Sequence, residues 1–299
     1  MGKDTRTLTL TVANPTLAAE ISDNDAKAVA ARGFIGRILK MLLSAVISIL
    51  VVAGIWWAFL KIFNVDPFVG RTPANILGAM TTGPAAAENR ELLFNAFCIT
   101  LRDAFFGLAA GMIVATICAI SFNLARSVEH TVMPVAMVLQ SVPLVALTPL
   151  IALIFGRGLA TTTIIAGIVT FFPALVNVNL ALRNAPASSM DLMRAYGGST
   201  WTTLKKVQIP CALPAIFASL RIAAPLALIC ALLAEWLATA EGLGYLMLQS
   251  MVNFNLDLLW AAGALVTFFS IVLYNIVSSV EGAVLARYAP EHVAMAKAR

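Results

Sequence analysis

The chain of 299 residues is 60% hydrophobic and only 12% charged, with a formal net charge of +5. A soluble globular domain has a charged fraction near a quarter, so this composition excludes a soluble protein and indicates an integral membrane protein. Basic residues that are retained on the cytoplasmic side of a membrane account for the positive charge, which therefore indicates no nucleic-acid site.

Residues 1–40 form a polar N-terminal tail. Residues 5–12 alternate threonine with apolar residues in a strand-like period of two, whereas residues 28–40 set apolar side chains against basic ones. The second pattern is typical of an amphipathic helix that lies on the membrane surface. A disordered arm and a cytosolic extension of the first membrane helix explain this pattern equally well.

Six apolar runs are long enough to cross about 30 Å of hydrocarbon, which takes about 20 helical residues. They lie at about 41–63, 100–123, 131–155, 160–182, 213–238 and 258–285. Prolines interrupt the third and fourth runs, at positions 134, 143, 149 and 173. We therefore predict an all-α integral membrane protein with about six transmembrane helices.

The basic residues predict the orientation, because Lys and Arg are retained on the cytoplasmic side. If the N-terminus lies inside, most basic residues face the cytoplasm, and so does the C-terminal tail, residues 286–299. We predict that both termini are cytoplasmic. Residues 41–94 then contain the first membrane helix and an outside loop. This loop is residues 64–94, and we expect some helix near its end.

One polar segment, Ser188 to Lys206, separates the fourth apolar run from the fifth. Ser188 and Asp191 fit a capping box that starts a short helix, and Gly197-Gly198 predicts its end, because glycine readily adopts the left-handed conformation. We expect Gly197 to be required because a side chain there would block the turn.

Ser199 is the expected cap of a second short helix. Pro210 and Pro214 are expected to break the chain between this helix and the fifth membrane helix. The sequence thus predicts a helix-turn-helix elbow over residues 188–210. Its apolar edge is available to a partner and consists of Leu192, Met193, Tyr196 and Trp201.

The spacing within this elbow resembles a cytoplasmic motif of the permease subunits of bacterial binding-protein-dependent ABC importers. That motif is Glu-Ala-Ala, three residues, Gly, nine residues and Ile-x-Leu-Pro. Here the register reads Asp191-Leu192-Met193, then Gly197, then Val207-Gln208-Ile209-Pro210. The glycine and the proline match. Asp in place of Glu keeps the charge, and Leu-Met in place of two alanines adds bulk.

Two further stretches resemble the nitrate, taurine and alkanesulfonate permeases of this family. Gln140 to Gly158 is similar to their proline-rich third helix and the turn that follows it, and Ala234 to Gln249 is similar to their Glu-x₆-Gly-Leu-Gly-Tyr stretch. The resemblance covers residues 95–285 and implies a type I ABC importer permease fold in the bacterial inner membrane. We call residues 95–285 the predicted permease core.

The resemblance implies that the elbow is the coupling helix, which docks on an ATPase. The implied ATPase-coupling residues are Asp191, Leu192, Met193, Tyr196, Gly197, Gly198, Trp201 and Pro210. The implied partners are two cytoplasmic ABC ATPase subunits, a second permease copy in a homodimer, and a periplasmic or lipid-anchored solute-binding protein. The implied solute is small, an anion such as nitrate, a sulfonate or taurine.

This chain has no G-x-x-x-x-G-K-[ST] loop, because its only Gly-Lys pair is Gly2-Lys3. We therefore expect ATP and Mg to bind to the partner ATPase, and expect this chain to bind no cofactor and to have no enzymatic activity. Cys98, Cys118, Cys211 and Cys230 lie in apolar segments without C-x-x-C spacing, so we interpret them as small buried hydrophobic residues rather than metal ligands.

Prolines inside a membrane helix free backbone carbonyls, which is tolerated where protein or water supplies partners. The third helix is therefore a candidate lining of the translocation pathway. The candidate pathway residues are Gln140, Ser141, Thr148, Asn177 and Glu235. For the uncharged residues, the competing interpretation is that they form hydrogen bonds between helices. For Glu235, the competing interpretation is that it stabilises a turn or reaches water. Gly107 and Gly111 indicate close helix packing.

Two other functions compete with the ATP-driven permease. A stand-alone secondary transporter is expected to show repeated halves with paired broken helices, and no such duplication is seen in the sequence. A membrane-bound enzyme is expected to show clustered His, Cys or carboxylate residues, and the sequence has no such cluster.

Overall fold

The computed structural model describes residues 43–44, 46–66 and 68–288, with side chains described as far as residue 285. The predictions for residues 1–40 and for most of the C-terminal tail lie outside the described residues. The chain divides into two compact units, Met1–Leu50 and Val51–Arg299. The described residues of the first unit are helical. The second unit begins at Val51 and contains the packing contacts and polar sites.

All regular structure in the described residues is helical. We number the helices α1 (Val46–Ile62), α2 (Pro73–Thr81), α3 (Ala86–Leu124), α4 (Arg126–Ser141), α5 (Leu144–Phe155), α6 (Leu159–Arg183), α7 (Ala187–Ala195), α8 (Thr200–Ala238), α9 (Gly242–Val252) and α10 (Leu256–Tyr288). The helix predicted within the outside loop is present as α2 and the first turns of α3.

Four helices are long and apolar enough to cross a membrane: α3, α6, α8 and α10. Helices α4 and α5 together form a fifth candidate span that is bent by 104°. Helix α1 is apolar but shorter than a span over its described residues. The predicted all-α membrane fold is therefore confirmed, with five of the six predicted spans present as long helices or as the bent pair.

The four prolines predicted to interrupt the third and fourth spans behave differently from one another. Only Pro143 ends a helix: Val142 before it is extended, with φ −77° and ψ 128°, and α5 begins after it. The residue before a proline disfavours the helical conformation, which explains the break. Pro134, Pro149 and Pro173 lie inside α4, α5 and α6, so α6 is continuous where an interruption was expected.

Helix α3 packs along α6, which in turn packs along α8. The α3–α6 contact is closest at two glycines, as the small-residue spacing predicts. A Cβ atom on Gly107 would collide with the Cβ atom of Ala166, and one on Gly111 would collide with Thr170 Oγ1. The two backbones therefore approach each other more closely than any larger residue would permit.

The prediction that the four cysteines are buried needs correction. Cys98 and Cys211 are exposed, whereas Cys230 alone among the four cysteines is buried; apolar residues on the lipid side of a span need no burial within the protein.

An ion pair joins α8 to α10. Arg221 of α8 pairs with Glu281 of α10 at 3.0 Å and lies over the Tyr274 ring.

We predict that Gly111→Ala lowers the thermal stability of the purified protein, because its new methyl group would meet Thr170 and lie 2.6 Å from the carbonyl oxygen of Gly167. Overpacking of this kind costs about 1–3 kcal/mol. The matched control is Gly263→Ala in α10, where a Cβ would meet nothing within 4 Å. Thermal unfolding in detergent measures both; equal melting temperatures for the two variants would contradict the prediction.

Candidate functional site at the α7–α8 elbow

The elbow begins with α7, which starts two residues earlier than a Ser188 cap requires. Pro186 is the N-cap, and its carbonyl accepts hydrogen bonds from the N–H groups of Ser189 and Met190, both at 3.1 Å. Ser188 therefore lies inside the first turn, and no side chain caps this helix. The predicted capping box is wrong because the carbonyl of Pro186 already starts the helix.

The turn after α7 is a Schellman motif, in which two backbone N–H groups satisfy the last helical carbonyls. Gly198 N–H donates to the Met193 carbonyl at 2.8 Å and Gly197 N–H to the Arg194 carbonyl at 3.0 Å. Gly197 has φ +68°, which confirms its left-handed conformation. A Cβ there would meet nothing within 4 Å, so the backbone angle rather than a lack of space requires glycine.

Ser199 caps α8 as predicted, since its hydroxyl accepts the Thr202 N–H at 3.2 Å. The expected break at Pro210 and Pro214 is absent, because α8 runs without interruption from Thr200 to Ala238. A wide π-helical turn over Leu204–Gln208 precedes Pro210. In this turn the Ile209 N–H donates to the Leu204 carbonyl. The turn is wider than an α-helix, so it accommodates the ring of Pro210, which would clash in a regular α-helix.

The elbow surface consists of Asp191, Leu192, Tyr196 and Trp201. Its three apolar side chains are exposed by 57%, 83% and 60% in that order. Asp191 pairs with Arg194 of the same helix at 3.3 Å, and both side chains are open to solvent. Met193 is half-buried and lies against Gly198, so this predicted contact residue lies partly behind the turn.

The base of the elbow is anchored in the core. Leu204 is completely buried, in a cluster that also contains Phe122 of α3 and Leu182 of α6. Gln208 is buried beside it and is hydrogen-bonded to Asn123 and to the Leu182 carbonyl. Sequence reasoning missed Gln208, although an amide inside the apolar stretch VQIPCALPAI is an available signal, because a buried amide requires partners.

The five candidate pathway residues lie on separate parts of the bundle, and no hydrogen bond in the described structure joins any two of them. Gln140 and Ser141 are exposed at the end of α4, and Ser141 donates to the Val138 carbonyl at 2.7 Å. Thr148 is buried in α5 and donates to the Leu144 carbonyl at 3.0 Å. Asn177 is half-buried in α6.

Glu235, the fifth candidate, is completely buried near the end of α8. Its carboxylate accepts hydrogen bonds from the Thr100 hydroxyl at 2.8 Å and from the Gly244 N–H at 2.9 Å. The Thr100 oxygen also accepts the Leu243 N–H at 2.8 Å. Glu235 and Thr100 together thus satisfy N–H groups in the first turn of α9, which carries no side-chain cap of its own. This is the geometry of turn stabilisation; a role of Glu235 in the translocation pathway stays a prediction.

Asp103 is a second buried carboxylate, which sequence reasoning missed. It is 2% exposed, pairs with Arg102 at 2.9 Å and accepts a hydrogen bond from the Thr162 hydroxyl at 2.7 Å. The contact joins α3 to the first turn of α6. An acid at the edge of an apolar run is the sequence signal, since ionisable groups at that depth require partners.

Comparison with known proteins places this architecture in a family. Residues 107–288 match the family described as "Binding-protein-dependent transport system inner membrane component". A probable ABC transporter permease protein of Haemophilus influenzae is 34% identical over 184 residues, which cover 62% of this chain and 75% of that protein. The riboflavin transport system permease protein RibX of Chloroflexus aurantiacus is 28% identical over 79% of this chain and 86% of its own.

A putative aliphatic sulfonates transport permease protein, SsuC of Escherichia coli, is 26% identical over 64% of this chain and 71% of that protein. Among solved structures, an inward-facing conformation of the MetNI methionine ABC transporter aligns with a TM-score of 0.56 at 19% identity, covering 68% of this chain and 99% of the other. This likeness concerns the fold, which is that of a type I ABC importer permease. The chain belongs to the family of binding-protein-dependent transport system inner membrane components and is a multi-pass permease subunit of an ABC importer.

Proposed function

We propose that the elbow surface docks this permease subunit on a cytoplasmic ATPase subunit and receives the movement that drives import. The observation that carries the proposal is the exposure of Leu192, Tyr196 and Trp201 on a segment that lies between two membrane spans. Outside the lipid, exposing a group of large apolar side chains to water costs free energy, and such groups mark interaction sites. Aromatic anchors of this kind dominate the binding energy of protein interfaces.

The charges of the elbow surface suit a docking role. Asp191 and Arg194 are both largely exposed, and an ion pair of this kind contributes little to stability. Either partner can therefore exchange its contact for an opposite charge on the ATPase at little cost. Such contacts set orientation and association rate more than affinity.

The continuity of α8 supports transmission from the elbow into the membrane. Trp201 and the spanning part of α8 belong to one uninterrupted helix, Thr200–Ala238, whose base is fixed by the buried Leu204. A displacement of the docked elbow is therefore a displacement of α8 itself. We infer alternating access driven by the ATPase, with the pathway residues Gln140, Ser141, Thr148, Asn177 and Glu235 as candidate contacts.

The assembly we propose contains two copies of this chain, two ATPase subunits and an extracytoplasmic binding protein. The family description, which names dependence on a binding protein, supports the last of these. ATP and Mg bind to the ATPase subunits, and this chain supplies the pathway without an enzymatic site or a bound cofactor. The alternative of a stand-alone secondary transporter is not favoured, because the family consists of importer components.

We propose a small solute delivered by the binding protein, with an anion such as a sulfonate, taurine or nitrate as the first candidate class. The similarity to aliphatic sulfonate permeases of Escherichia coli and Bacillus subtilis supports a sulfonate. The names of other relatives refer to riboflavin and formylaminopyrimidine, which support a heterocyclic solute instead. Mass spectrometry of the ligand that co-purifies with the binding protein distinguishes these classes.

We predict that Trp201→Ala weakens binding of the ATPase, because a central aromatic anchor contributes about 2 kcal/mol or more, equivalent to about 30-fold in Kd. The matched control is Trp57→Ala in α1, which removes another exposed tryptophan outside the elbow. Co-purification of the ATPase from membranes and titration of the purified subunits measure the effect. Unchanged ATPase binding by Trp201→Ala would contradict the docking role.

We predict that Gly197→Val reduces ATPase binding and uptake, whereas Gly197→Asn retains most of both. A left-handed conformation costs an L-residue about 1–2 kcal/mol, and asparagine tolerates it best. A Cβ at this position would meet nothing within 4 Å, and valine and asparagine are of similar size, so the comparison tests the backbone angle. Equal behaviour of the valine and asparagine variants in the co-purification assay would show that the turn geometry is not needed.

A further inference from the structure

We propose that Gln208 is a positioning residue that makes the elbow move as one body with the ends of α3 and α6. This inference rests on the proposed docking of the elbow and adds the residue through which the movement reaches helices other than α8. Gln208 lies at the last position of the π-helical turn, between the elbow surface and the spanning part of α8. It is only 7% exposed.

Both polar atoms of the Gln208 amide are engaged. Its oxygen accepts a hydrogen bond from Asn123 Nδ2 at 2.7 Å, and its Nε2 donates to Asn123 Oδ1 at 3.3 Å and to the Leu182 carbonyl at 3.1 Å. Two amides that bond reciprocally fix their separation and their relative rotation. The contact therefore holds α8 to Asn123 near the end of α3 and to Leu182 near the end of α6.

The Leu182 carbonyl has a particular need for this partner. In a continuing helix it would accept the N–H of the residue four positions later, which is Pro186 and has no N–H. An unsatisfied buried carbonyl costs about 1–3 kcal/mol. Gln208 supplies the missing donor from another helix, so the end of α6 is completed by α8 and not by its own chain.

The apolar and polar anchors of α8 lie on the same side of the helix. Leu204 and Gln208 are four residues apart, at the two ends of the turn, and both are buried. Leu204 packs in the core beside Leu182, while Gln208 makes the directional contacts. Packing alone permits sliding, whereas reciprocal hydrogen bonds do not, so Gln208 supplies the rigid part of the connection.

The test measures movement in the complete complex with its co-purified ATPase, reconstituted in lipid nanodiscs. Spin labels are placed on the elbow by Ser188→Cys and on α3 by Ile117→Cys, both exposed positions, after replacement of the four native cysteines. Labelled copies are diluted with unlabelled ones, so that only distances within one chain are observed. The distance distribution is recorded without nucleotide and with ATP plus vanadate.

With Gln208 present, we expect one narrow distribution that is the same in both states. In Gln208→Leu the distribution widens about twofold or shifts between the states, because the elbow can move without α3 once the amide contacts are lost. The control Gln249→Leu, which removes an exposed amide that bonds Tyr245 at 2.8 Å in α9, leaves it narrow. If Gln208→Leu does not fold, Gln208→Met takes its place, because it keeps an unbranched side chain of similar length and removes the amide.

An unchanged, narrow distribution in a folded Gln208 variant that still binds the ATPase would overturn the inference and leave the docking proposal intact. Failure of the unsubstituted chain to hold the ATPase, or normal ATPase binding by Trp201→Ala, would overturn the docking proposal instead. The rate of ATP hydrolysis, measured on the same samples, provides the second readout. We expect hydrolysis to persist in Gln208→Leu, since the elbow surface is unaltered.

Discussion

The close contact of α3 with α6 at Gly107 and Gly111 is the constraint on which the rest of the bundle depends. Without Cβ atoms at these two positions the backbones approach each other, and the Thr170 hydroxyl lies 3.4 Å from the Gly107 carbonyl. In a lipid environment helix association depends on such packing, because lipid tails are as apolar as the side chains they cover. The approach brings two levels of α3, one around Thr100 and Asp103 and one at Asn123 near its C-terminal end, within reach of side chains from α6 and α8.

Polar side-chain contacts join α3 to its neighbours at these two levels. At the first level, Thr100 and Asp103 of α3 bond to Glu235 of α8 and Thr162 of α6; at the second level, Asn123 bonds to Gln208. Each contact satisfies a buried polar group that would otherwise cost free energy in a low-dielectric interior. Helices α3 and α8 are thus joined by side-chain hydrogen bonds at both levels.

The sequence predicted features that depend on local rules. Hydropathy and length identify the spans because each must cross about 30 Å of hydrocarbon by itself. The glycine at position 197 and the serine at 199 were predicted correctly, because a left-handed C′ residue and a capping hydroxyl act within a few residues. Prolines were predicted less well, since Pro143 ends a helix and Pro210 does not. A π-helical turn accommodates Pro210, whereas Pro134, Pro149 and Pro173 lie within helices without one.

Features that depend on distant partners were missed. Gln208 and Asp103 contact residues 85 and 59 positions away along the chain, and no spacing rule indicates which helix will face them. A polar residue in an apolar segment predicts only that some partner exists. The predicted pathway residues show the converse: Thr148 satisfies its hydroxyl on its own helix, which a single sequence does not distinguish from a contact across a pathway.

The elbow lies beyond one of these polar levels, and this position has a mechanical consequence. Glu235 is on the same helix as Gln208, and the two residues hold α8 to α3 at two points that are 27 residues apart along α8. A helix held at two points by directional bonds tilts with its neighbours rather than sliding past them, because sliding breaks both contacts at once. Movement delivered at Trp201 would therefore turn α8 together with α3 and α6. Rigid rotation of such a group is one of the changes by which transporters alternate access.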